Sequence, residues 1–430
     1  MLTRIKGAKI VDPGNMDGVY KDIIIRDGLI DALIEPEEAF DLGEVAEIKE
    51  IDATGMVAVP GLIDLHVHLR EPGHEYKETI ETGAKAAVRG GFTIICPMPN
   101  TSPVNDNSQV TAYIVNRAKE LGLCRILPVG AITHGLEGNT LAEYGDMQQK
   151  GMVAISDDGR PVADARVMRR AMEYANGLDL PVISHAEDLS LARNGAMNEG
   201  ITATVLGIKG IPNAAESVMV MRDIALAELT GARIHIAHVS CEESVDAIRH
   251  GKARGVRVTA ETAPHYFTLT DEAVAQYDTH AKMNPPLRTE KDRQAIIEGL
   301  VDGTLDIIAT DHAPHSPLEK EVEFDRAAFG IVGLETSLAL SLGLVQEGKL
   351  SLSQLIEKMS KNPAAILGID NDLKPNNPAD ITLIDLEAYH TIDPDTFFSK
   401  GVNTPFVGFN VKGEAWMTLV QGRVVFEKEV

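Results

Sequence analysis

The chain changes its pattern of apolar and polar residues twice along its length. Residues 1 to about 55 alternate apolar and polar positions, and Asp27 with Gly28 marks a tight hairpin between two such runs. From residue 56, short runs rich in Val and Ile are separated by longer segments with helical spacing, which is typical of βα units. Alternating strands return at 379–386 and 416–426. The pattern therefore predicts a larger α/β domain and one small β module built from both chain ends.

The central part of the chain contains eight predicted strands. They cover residues 57–66, 92–98, 125–131, 152–156, 180–185, 233–238, 256–261 and 305–310. Predicted helices cover residues 79–89, 107–121, 163–176, 214–230, 242–254, 290–299 and 352–367. Eight βα units in roughly 310 residues predict a (β/α)8 TIM-like barrel. The alternative is a doubly wound open sheet, but no glycine-rich dinucleotide turn follows the first strand.

These elements predict two structural units. We expect the barrel to occupy residues 56–374. We expect a β-sandwich-like module to combine residues 1–55 with 375–430, and the Pro- and Asn-rich stretch 374–378 to act as a linker.

Composition narrows the classes of partner. Acidic residues outnumber basic ones 64 to 40, which gives a net charge of −24 and argues against nucleic acid and anionic membrane surfaces. The three cysteines are scattered without a CxxC pair, so we expect buried core thiols rather than disulfides or a thiolate metal site. No apolar segment approaches the length of a membrane span and no signal region opens the chain, so we expect a cytoplasmic protein.

Histidines and carboxylates follow the predicted strands. His66 and His68 are two positions apart, so in a strand they project from the same face and can share one ion. In a barrel the chemistry lies at the carboxyl ends of the strands. Further residues at strand ends are Asp157, Asp158, His185, His238 and Asp311. Such nitrogen and oxygen ligands suit Zn²⁺, Mn²⁺ or Co²⁺, and the set is large enough for two ions.

Strand parity separates His238 from the nearby His235. The two are three positions apart, so in a regular strand they face opposite sides and only one can join the cluster. We expect that residue to be His238 because it lies at the strand end.

Four motifs carry a resemblance to a known family. They are DLHVHLREPG at 64–73, MPNT at 98–101, ETAPH at 261–265 and ATDHAPH at 309–315, which Lys320 follows. Together they resemble the dihydroorotase family of cyclic amidohydrolases. The resemblance implies metal ligands at His66, His68, Asp158, His185, His238 and Asp311. Many amidohydrolases bridge their ions with a carboxylated lysine, but the fourth strand here has none, which resembles the branch that uses Asp158 instead.

The resemblance also implies a reaction and a set of substrate contacts. N-carbamoyl-L-aspartate is closed to L-dihydroorotate and water, reversibly, in pyrimidine biosynthesis. A hydroxide between two ions, expected to be Zn²⁺, is the nucleophile, and Asp311 is the general base and acid. The implied substrate contacts are His68, Arg70, Asn100, Asn284, His315, Phe329 and Gly330. We expect a homodimer, and association with aspartate transcarbamoylase is a further expectation to test.

Two other functions stay open at this point. One is a hydantoinase- or allantoinase-like hydrolase, and the other is a catalytically silent subunit that assembles with aspartate transcarbamoylase. Residues 320–329 suit either a mobile loop over the barrel mouth or a plain solvated connection. His265 and His312 have no independent role, and five more histidines fit no cluster: His74, His134, His250, His280 and His390.

Overall fold

The computed structural model describes residues 2–36 and 48–428, and its strands fall into three consecutive groups. The first group is β1 (Leu2–Asp12), β2 (Met16–Arg26), β3 (Leu29–Ile34), β4 (Ile48–Asp52) and β5 (Val57–Pro60). The second is β6 (Leu62–Val67), β7 (Phe92–Pro97), β8 (Arg125–Ile126), β9 (Val129–Gly130), β10 (Ala154–Ser156), β11 (Val182–Ser184), β12 (Met197–Asn198), β13 (Gly210–Ile211), β14 (Ile234–Ile236), β15 (Val258–Thr262) and β16 (Ile307–Ile308). The third is β17 (Ile381–Thr391), β18 (Asn410–Val420) and β19 (Arg423–Glu427).

The helices lie mainly between the strands of the second group. They are α1 (Ile80–Arg89), α2 (Ser108–Leu121), α3 (Tyr144–Gln149), α4 (Ala165–Gly177), α5 (Leu189–Ala192), α6 (Ile201–Leu206), α7 (Ala214–Thr230), α8 (Glu242–Ala253), α9 (Pro264–Thr268), α10 (Glu290–Asp302), α11 (Pro317–Lys320), α12 (Ser337–Gln346), α13 (Leu352–Ile356) and α14 (Asn362–Leu367). A π-helical turn at Glu357–Lys361 joins the last two. Within the described residues, no helix combines the length and the apolar character that crossing a membrane requires.

All strands of the second group except β12 and β13, which pair only with each other, form the predicted (β/α)8 barrel. Strands β6, β7 and β8 pair in parallel, as do β9, β10, β11, β14, β15 and β16 in that order. The third barrel strand consists of the two short pieces β8 and β9. The barrel closes where Val67 forms a parallel bridge with His312 and the His68 N–H donates to the His312 carbonyl at 2.8 Å. Apolar strand residues such as Ile63, Ile94 and Ile183 fill the interior, and Ala364 of α14 packs against them.

Local sequence explains where the main helices begin. Thr79 and Thr289 cap α1 and α10 with reciprocal side-chain hydrogen bonds, and Asn107 caps α2 through the N–H groups of Gln109 and Val110. The predicted helices at 79–89, 107–121 and 214–230 start within one residue of the observed ones.

The chain ends combine in one sheet with its own core. Its strand order is β19, β18, β17, β5, β1, β2, β3, with β4 paired to β1. Ile23 of β2 and Met417 of β18 belong to the same buried cluster, so the sheet folds over a shared interior. The predicted Asp27-Gly28 hairpin is confirmed, because both residues have positive φ, at 51° and 87°, and join β2 to β3.

The strand predicted at 57–66 is wrong as one element. It divides at Gly61: β5 pairs with β1 and β17 in the terminal sheet, and only β6 enters the barrel. Gly61 passes Thr93 so closely that a Cβ there would lie 2.1 Å from the Thr93 Oγ1. The terminal sheet therefore extends to Pro60.

Two details of the C-terminal region also differ from the prediction. The segment predicted as a strand at 416–426 contains the turn Gln421-Gly422 between β18 and β19. The stretch 374–378 is not a free linker, because Ile30 exchanges backbone hydrogen bonds with Asn376 and Asn377. Polar composition alone does not show such pairing with a distant strand.

Candidate metal centre and substrate cavity

Six of the predicted site residues converge at the carboxyl ends of the barrel strands. His66 is in β6 and His68 directly follows it, whereas Asp158, His185, His238 and Asp311 follow β10, β11, β14 and β16 within three residues. All six side chains are buried. Three overlapping groups bring ligand atoms together: His66 with His238 and Asp311, His66 with His68 and Asp158, and Asp158 with His185 and His238.

Asp158 lies at the centre of the cluster. Its Oδ1 is 3.3 Å from the His66 Nε2, 3.4 Å from the His185 Nδ1 and 3.5 Å from the His238 Nε2. Its Oδ2 is 3.5 Å from the His68 Nε2. One carboxylate thus faces all four histidines of the cluster, which is the arrangement a bridging ligand needs.

The remaining carboxylate, Asp311, lies on one side of the cluster. Its Oδ1 is 3.2 Å from the His68 Nε2 and 3.5 Å from the His66 Nε2. On the other side, the His185 Nδ1 and the His238 Nε2 are 2.7 Å apart. Asp158 therefore lies between a half with His66, His68 and Asp311 and a half with His185 and His238, and His238 also lies near His66 and Asp311.

The donor set fits divalent metal ions. The His66 Nε2 and the Asp158 Oδ1 are buried and lack a hydrogen-bond partner within the described residues. Buried polar atoms without partners are costly, and ligation of an ion would satisfy these two. Imidazole nitrogens and carboxylate oxygens are the ligands that Zn²⁺ accepts.

Electrostatics keep the carboxylates of the cluster ionised. Burial alone would raise the pKa of Asp158, but His66 and the neighbouring histidines hold it well below its usual value. Burial likewise opposes ionisation of Asp311, yet His66 and His68 keep its pKa below its usual value. Asp311 is therefore an ionised carboxylate with an oxygen facing the cluster.

Asp157 and Asp64 lie beside the cluster but are used elsewhere. Asp157 accepts hydrogen bonds from the N–H of Thr133 at 3.0 Å and from its hydroxyl at 2.5 Å, and burial raises the pKa of Asp157 to about 6. Asp64 accepts from the N–H groups of His66 and Thr310 and so links β6 to the segment after β16. Both carboxylates stabilise strand ends.

Glu261 is a site residue that the sequence reasoning missed. Its Oε1 is 2.6 Å from the His66 Nδ1 and its Oε2 is 3.0 Å from the His235 Nε2, and all three residues are buried. A carboxylate behind a ligand histidine orients the ring and fixes its tautomer. The available signal was an acidic residue inside an otherwise buried strand, since such a group needs a buried partner.

The other histidines of the cluster have different supports. The His68 Nδ1 is 2.9 Å from the Asn100 Oδ1. The His185 Nε2 is 3.5 Å from the Glu187 Oε2, another residue that the sequence reasoning missed. The His238 Nδ1 has no hydrogen-bond partner within the described residues.

The parity argument, which placed His235 and His238 on opposite sides of the strand, is wrong, whereas the strand-end position for which His238 was chosen is observed. Ile234 and Ile236 pack in the helix-facing core and Ala237 packs inside the barrel, so His235 also points inward, toward Thr259 and Glu261. His238 reaches the mouth because it lies beyond the end of β14 with a φ of +35°, where strand alternation no longer applies. Both histidines therefore lie on the interior side, at different depths.

A cavity of about 220 Å³ opens beside the cluster. Its lining includes ligands from both halves of the cluster together with the predicted substrate contacts Arg70, Asn100, Asn284, His315 and Phe329. The Arg70 Nε donates to the Pro314 carbonyl at 3.2 Å, and its Nη2 is 3.4 Å from the His315 Nε2. The Asn284 Oδ1 is buried without a partner in the described residues. The cavity thus combines a guanidinium with an unused amide acceptor.

Gly330 departs from the predicted role. It does not line the cavity, its N–H donates to the Lys282 carbonyl at 2.9 Å, and its carbonyl accepts from Lys320 at 3.0 Å and Asn403 at 2.9 Å. Its backbone groups are therefore already used within the protein. A Cβ at this position would lie 2.6 Å from the Ala313 carbonyl oxygen, so glycine is needed for packing.

Comparison with known proteins decides the family. A family model described as Dihydro-orotase-like matches residues 55–244. The chain is 70% identical over 430 residues, all of both chains, to the dihydroorotase of Desulforapulum autotrophicum. It is 54% identical over 425 residues, 99% of both chains, to that of Geobacter metallireducens. The chain belongs to the dihydroorotase family.

Solved structures agree with this assignment at the level of the superfamily. The L-hydantoinase of Arthrobacter aurescens superposes with a TM-score of 0.87 at 25% identity, covering 99% of this chain and 96% of that one. A D-hydantoinase structure gives 0.82 at 25% identity, with 100% and 96% covered. This dihydroorotase family member is therefore a cyclic amide hydrolase with a TIM-type barrel.

The two motif histidines without an assigned role occupy supporting positions. The His312 Nε2 lies 3.3 Å from the Glu78 Oε2, and its Nδ1 accepts from the Gly333 N–H at 3.1 Å. His265 is buried with its ring centroid 4.1 Å from that of Tyr266, and burial lowers the pKa of His265 to about 4. The remaining five histidines lie outside the cluster, half-buried or exposed: His74, His134, His250, His280 and His390.

Proposed function

We propose that this chain is a dihydroorotase that interconverts N-carbamoyl-L-aspartate and L-dihydroorotate in pyrimidine biosynthesis. The observation that carries the proposal is that Arg70 lines the same cavity as the metal-ligand cluster. An anionic substrate can thus be held by its carboxylate while its amide carbon lies beside the cluster. The planar guanidinium suits a carboxylate because it donates two parallel hydrogen bonds.

The metal ions are part of the proposal. His66, His68, Asp158 and Asp311 would hold one ion, and Asp158, His185 and His238 a second. We expect Zn²⁺ at both positions, although the ligand set also accepts other divalent transition metals. Such ions lower the pKa of bound water from about 15.7 to about 7 and so supply hydroxide at neutral pH.

Asp311 is the proposed general base and acid. In the hydrolytic direction it accepts the proton of the attacking water and delivers it to the ring nitrogen as the carbon–nitrogen bond breaks. His68, at 3.2 Å, keeps the Asp311 carboxylate directed at the cluster. In the synthetic direction the same carboxylate takes the proton from the attacking ureido nitrogen.

Substrate contacts follow from the cavity lining. We propose that Arg70 and the Asn100 amide nitrogen bind the carboxylate, since the Asn100 oxygen already contacts His68. The Asn284 Oδ1 can accept from a ring N–H, and His315 and Phe329 complete the wall. Burial and nearby cations lower the pKa of His315 to about 2, which keeps it neutral.

The experiment compares two substrates across one mutation. The variant Arg70→Met would leave a bound carboxylate unpaired, which should cost roughly 2–5 kcal/mol of transition-state stabilisation, measured as kcat/KM for dihydroorotate. Turnover of dihydrouracil, which lacks the carboxylate, should hardly change. Equal losses on both substrates would make Arg70 structural. A wild-type preference for the neutral ring would favour a hydantoinase-like function.

Assembly and location complete the proposal. We propose a homodimer in the cytoplasm and test association with aspartate transcarbamoylase by size-exclusion chromatography of the isolated chain and of the mixture. Activity of the isolated chain on dihydroorotate would rule out a silent subunit.

A further inference from the structure

Two buried lysines lie behind the wall of the cavity. Lys282 and Lys320 are 2% and 1% exposed. Neither ammonium group has a carboxylate within 4.0 Å in the part of the chain that the structure describes. A buried ammonium without an anionic partner is costly, and burial lowers the pKa of Lys282 to about 8 and of Lys320 to about 7.

Both ammonium groups bind backbone carbonyls of one segment, residues 321–330. Lys282 donates to the carbonyls of Phe324 at 2.7 Å and Asp325 at 3.1 Å. Lys320 donates to the carbonyls of Ala328 at 2.8 Å and Gly330 at 3.0 Å. The segment has no helix or strand of its own. Its backbone conformation is therefore fixed by these two side chains together with His315, which donates to the Phe329 carbonyl at 2.8 Å, and Asn403, which donates to the Gly330 carbonyl at 2.9 Å.

The same lysines connect this segment to the opposite part of the cavity wall. The Lys282 carbonyl accepts from the Gly330 N–H at 2.9 Å and from the Lys320 ammonium at 3.4 Å. Met283 and Asn284, which directly follow Lys282, line the cavity together with Phe329. The Lys282 ammonium also lies 4.5 Å from the centroid of the Phe329 ring.

We propose that Lys282 and Lys320 are positioning residues for substrate recognition. Their ammonium groups hold the 321–330 segment against residues 282–284, so that Phe329 and Asn284 form a preformed wall before the substrate arrives. This inference deepens the proposed function and rests on it. Neither lysine lines the cavity, so we expect both to act on binding rather than on the chemical step.

The test uses Lys320→Met and Lys282→Met in the full-length enzyme, with Lys358→Met as a matched control. Lys358 is also buried and donates to a backbone carbonyl, that of Leu305 at 2.9 Å, but Leu305 belongs neither to the cavity wall nor to the 321–330 segment. We measure kcat, KM for dihydroorotate, bound metal and Tm for each variant.

We expect the two wall variants to raise KM about tenfold, with kcat changed less than about threefold and full metal content. The Lys358 variant should lower Tm with KM unchanged. Wall variants that lower Tm but leave KM at the wild-type value would overturn the proposal, as would a loss confined to kcat or to metal. Absence of dihydroorotate turnover in the wild type would instead refute the proposed function.

A measurement on the wild-type enzyme covers the case in which a wall variant does not fold. Backbone hydrogen exchange across 321–330 is compared without ligand and with an equilibrium mixture of dihydroorotate and N-carbamoyl-L-aspartate. A preformed wall predicts that the Ala328 and Gly330 amides are protected in both states. Protection that develops only with ligand would overturn the proposal, since the segment would then close on binding.

Discussion

The cavity has a metal end, formed by the histidine and aspartate cluster, and a substrate end, whose wall includes Asn284 and Phe329. The two ends are built by different means. At the metal end, side chains from strand termini converge, and carboxylates or amides such as Glu261 and Asn100 support the histidines from behind. At the substrate end, the wall comes from irregular segments whose carbonyls bind buried lysines. This difference indicates that rigid strands position the histidines and aspartates of the cluster, whereas hydrogen bonds to loop backbones shape the surface that recognises the substrate. Changes at the metal end should therefore affect turnover and metal content, and changes at the substrate end should affect binding.

The largest effect is expected for Asp158→Ala at the metal end. Removal of the carboxylate shared by both halves should deplete bound metal and reduce turnover more than about 10⁴-fold, because water regains a pKa near 15.7. Metal analysis and a dihydroorotate assay measure this. Asp157→Ala is the matched control, because Asp157 accepts a hydrogen bond from Thr133. This variant should lower Tm and retain bound metal. The opposite pattern would assign the bridge to Asp157.

Asp311→Asn should have the next largest effect. The amide keeps the shape and one ligand oxygen but cannot accept the proton, so kcat should fall about 10²- to 10⁴-fold with little change in KM. Stopped-flow or steady-state kinetics with metal-replete protein measure this effect. Unchanged kcat would rule out Asp311 as the base.

Mutation of the carboxylates that contact the histidines should affect metal affinity differently in the two halves of the metal end. Glu261→Gln weakens a 2.6 Å contact to His66 and should reduce metal affinity about 10- to 100-fold. Glu187→Gln alters a contact of 3.5 Å to His185 and should have a smaller effect on affinity. Competition with a chelator measures both variants. Equal losses would show that the two halves are supported alike.

The smallest effect is a pH dependence at the substrate end. Burial and the neighbouring Lys282 lower the pKa of Lys320 to about 7. The unfolded chain, with a lysine pKa near 10.4, binds more protons than the folded chain between about pH 7 and pH 10, so this group makes stability rise with pH in that window. The unfolding free energy of wild type minus that of Lys320→Met should therefore increase with pH.

Denaturant titrations at about pH 7, 8 and 9 test this dependence. Replacement of the exposed Lys349 by Met is the control and should give a difference that does not vary with pH. A constant difference for Lys320→Met as well would show that Lys320 titrates normally.

Most residues of the metal end could be predicted from the sequence. A strand end in a parallel barrel places its residues at one rim, so His66, His68 and Asp311 could be grouped from strand positions alone. The choice of Asp158 came from the family motif, and the structure places it, rather than Asp157, among the histidines.

Features that depend on distant contacts were decided only by the tertiary structure. The division at Gly61 follows from its approach to Thr93, and the position of His238 at the cavity mouth follows from where β14 ends. Lysine is seldom fully buried, so the burial of Lys282 and Lys320 was not predictable from their neighbours. Strand period and strand-end position predicted the barrel and most residues of the histidine and aspartate cluster, because both are local. The partner of His66 and the contacts of the cavity wall could not be predicted, because they pair residues that only folding brings together.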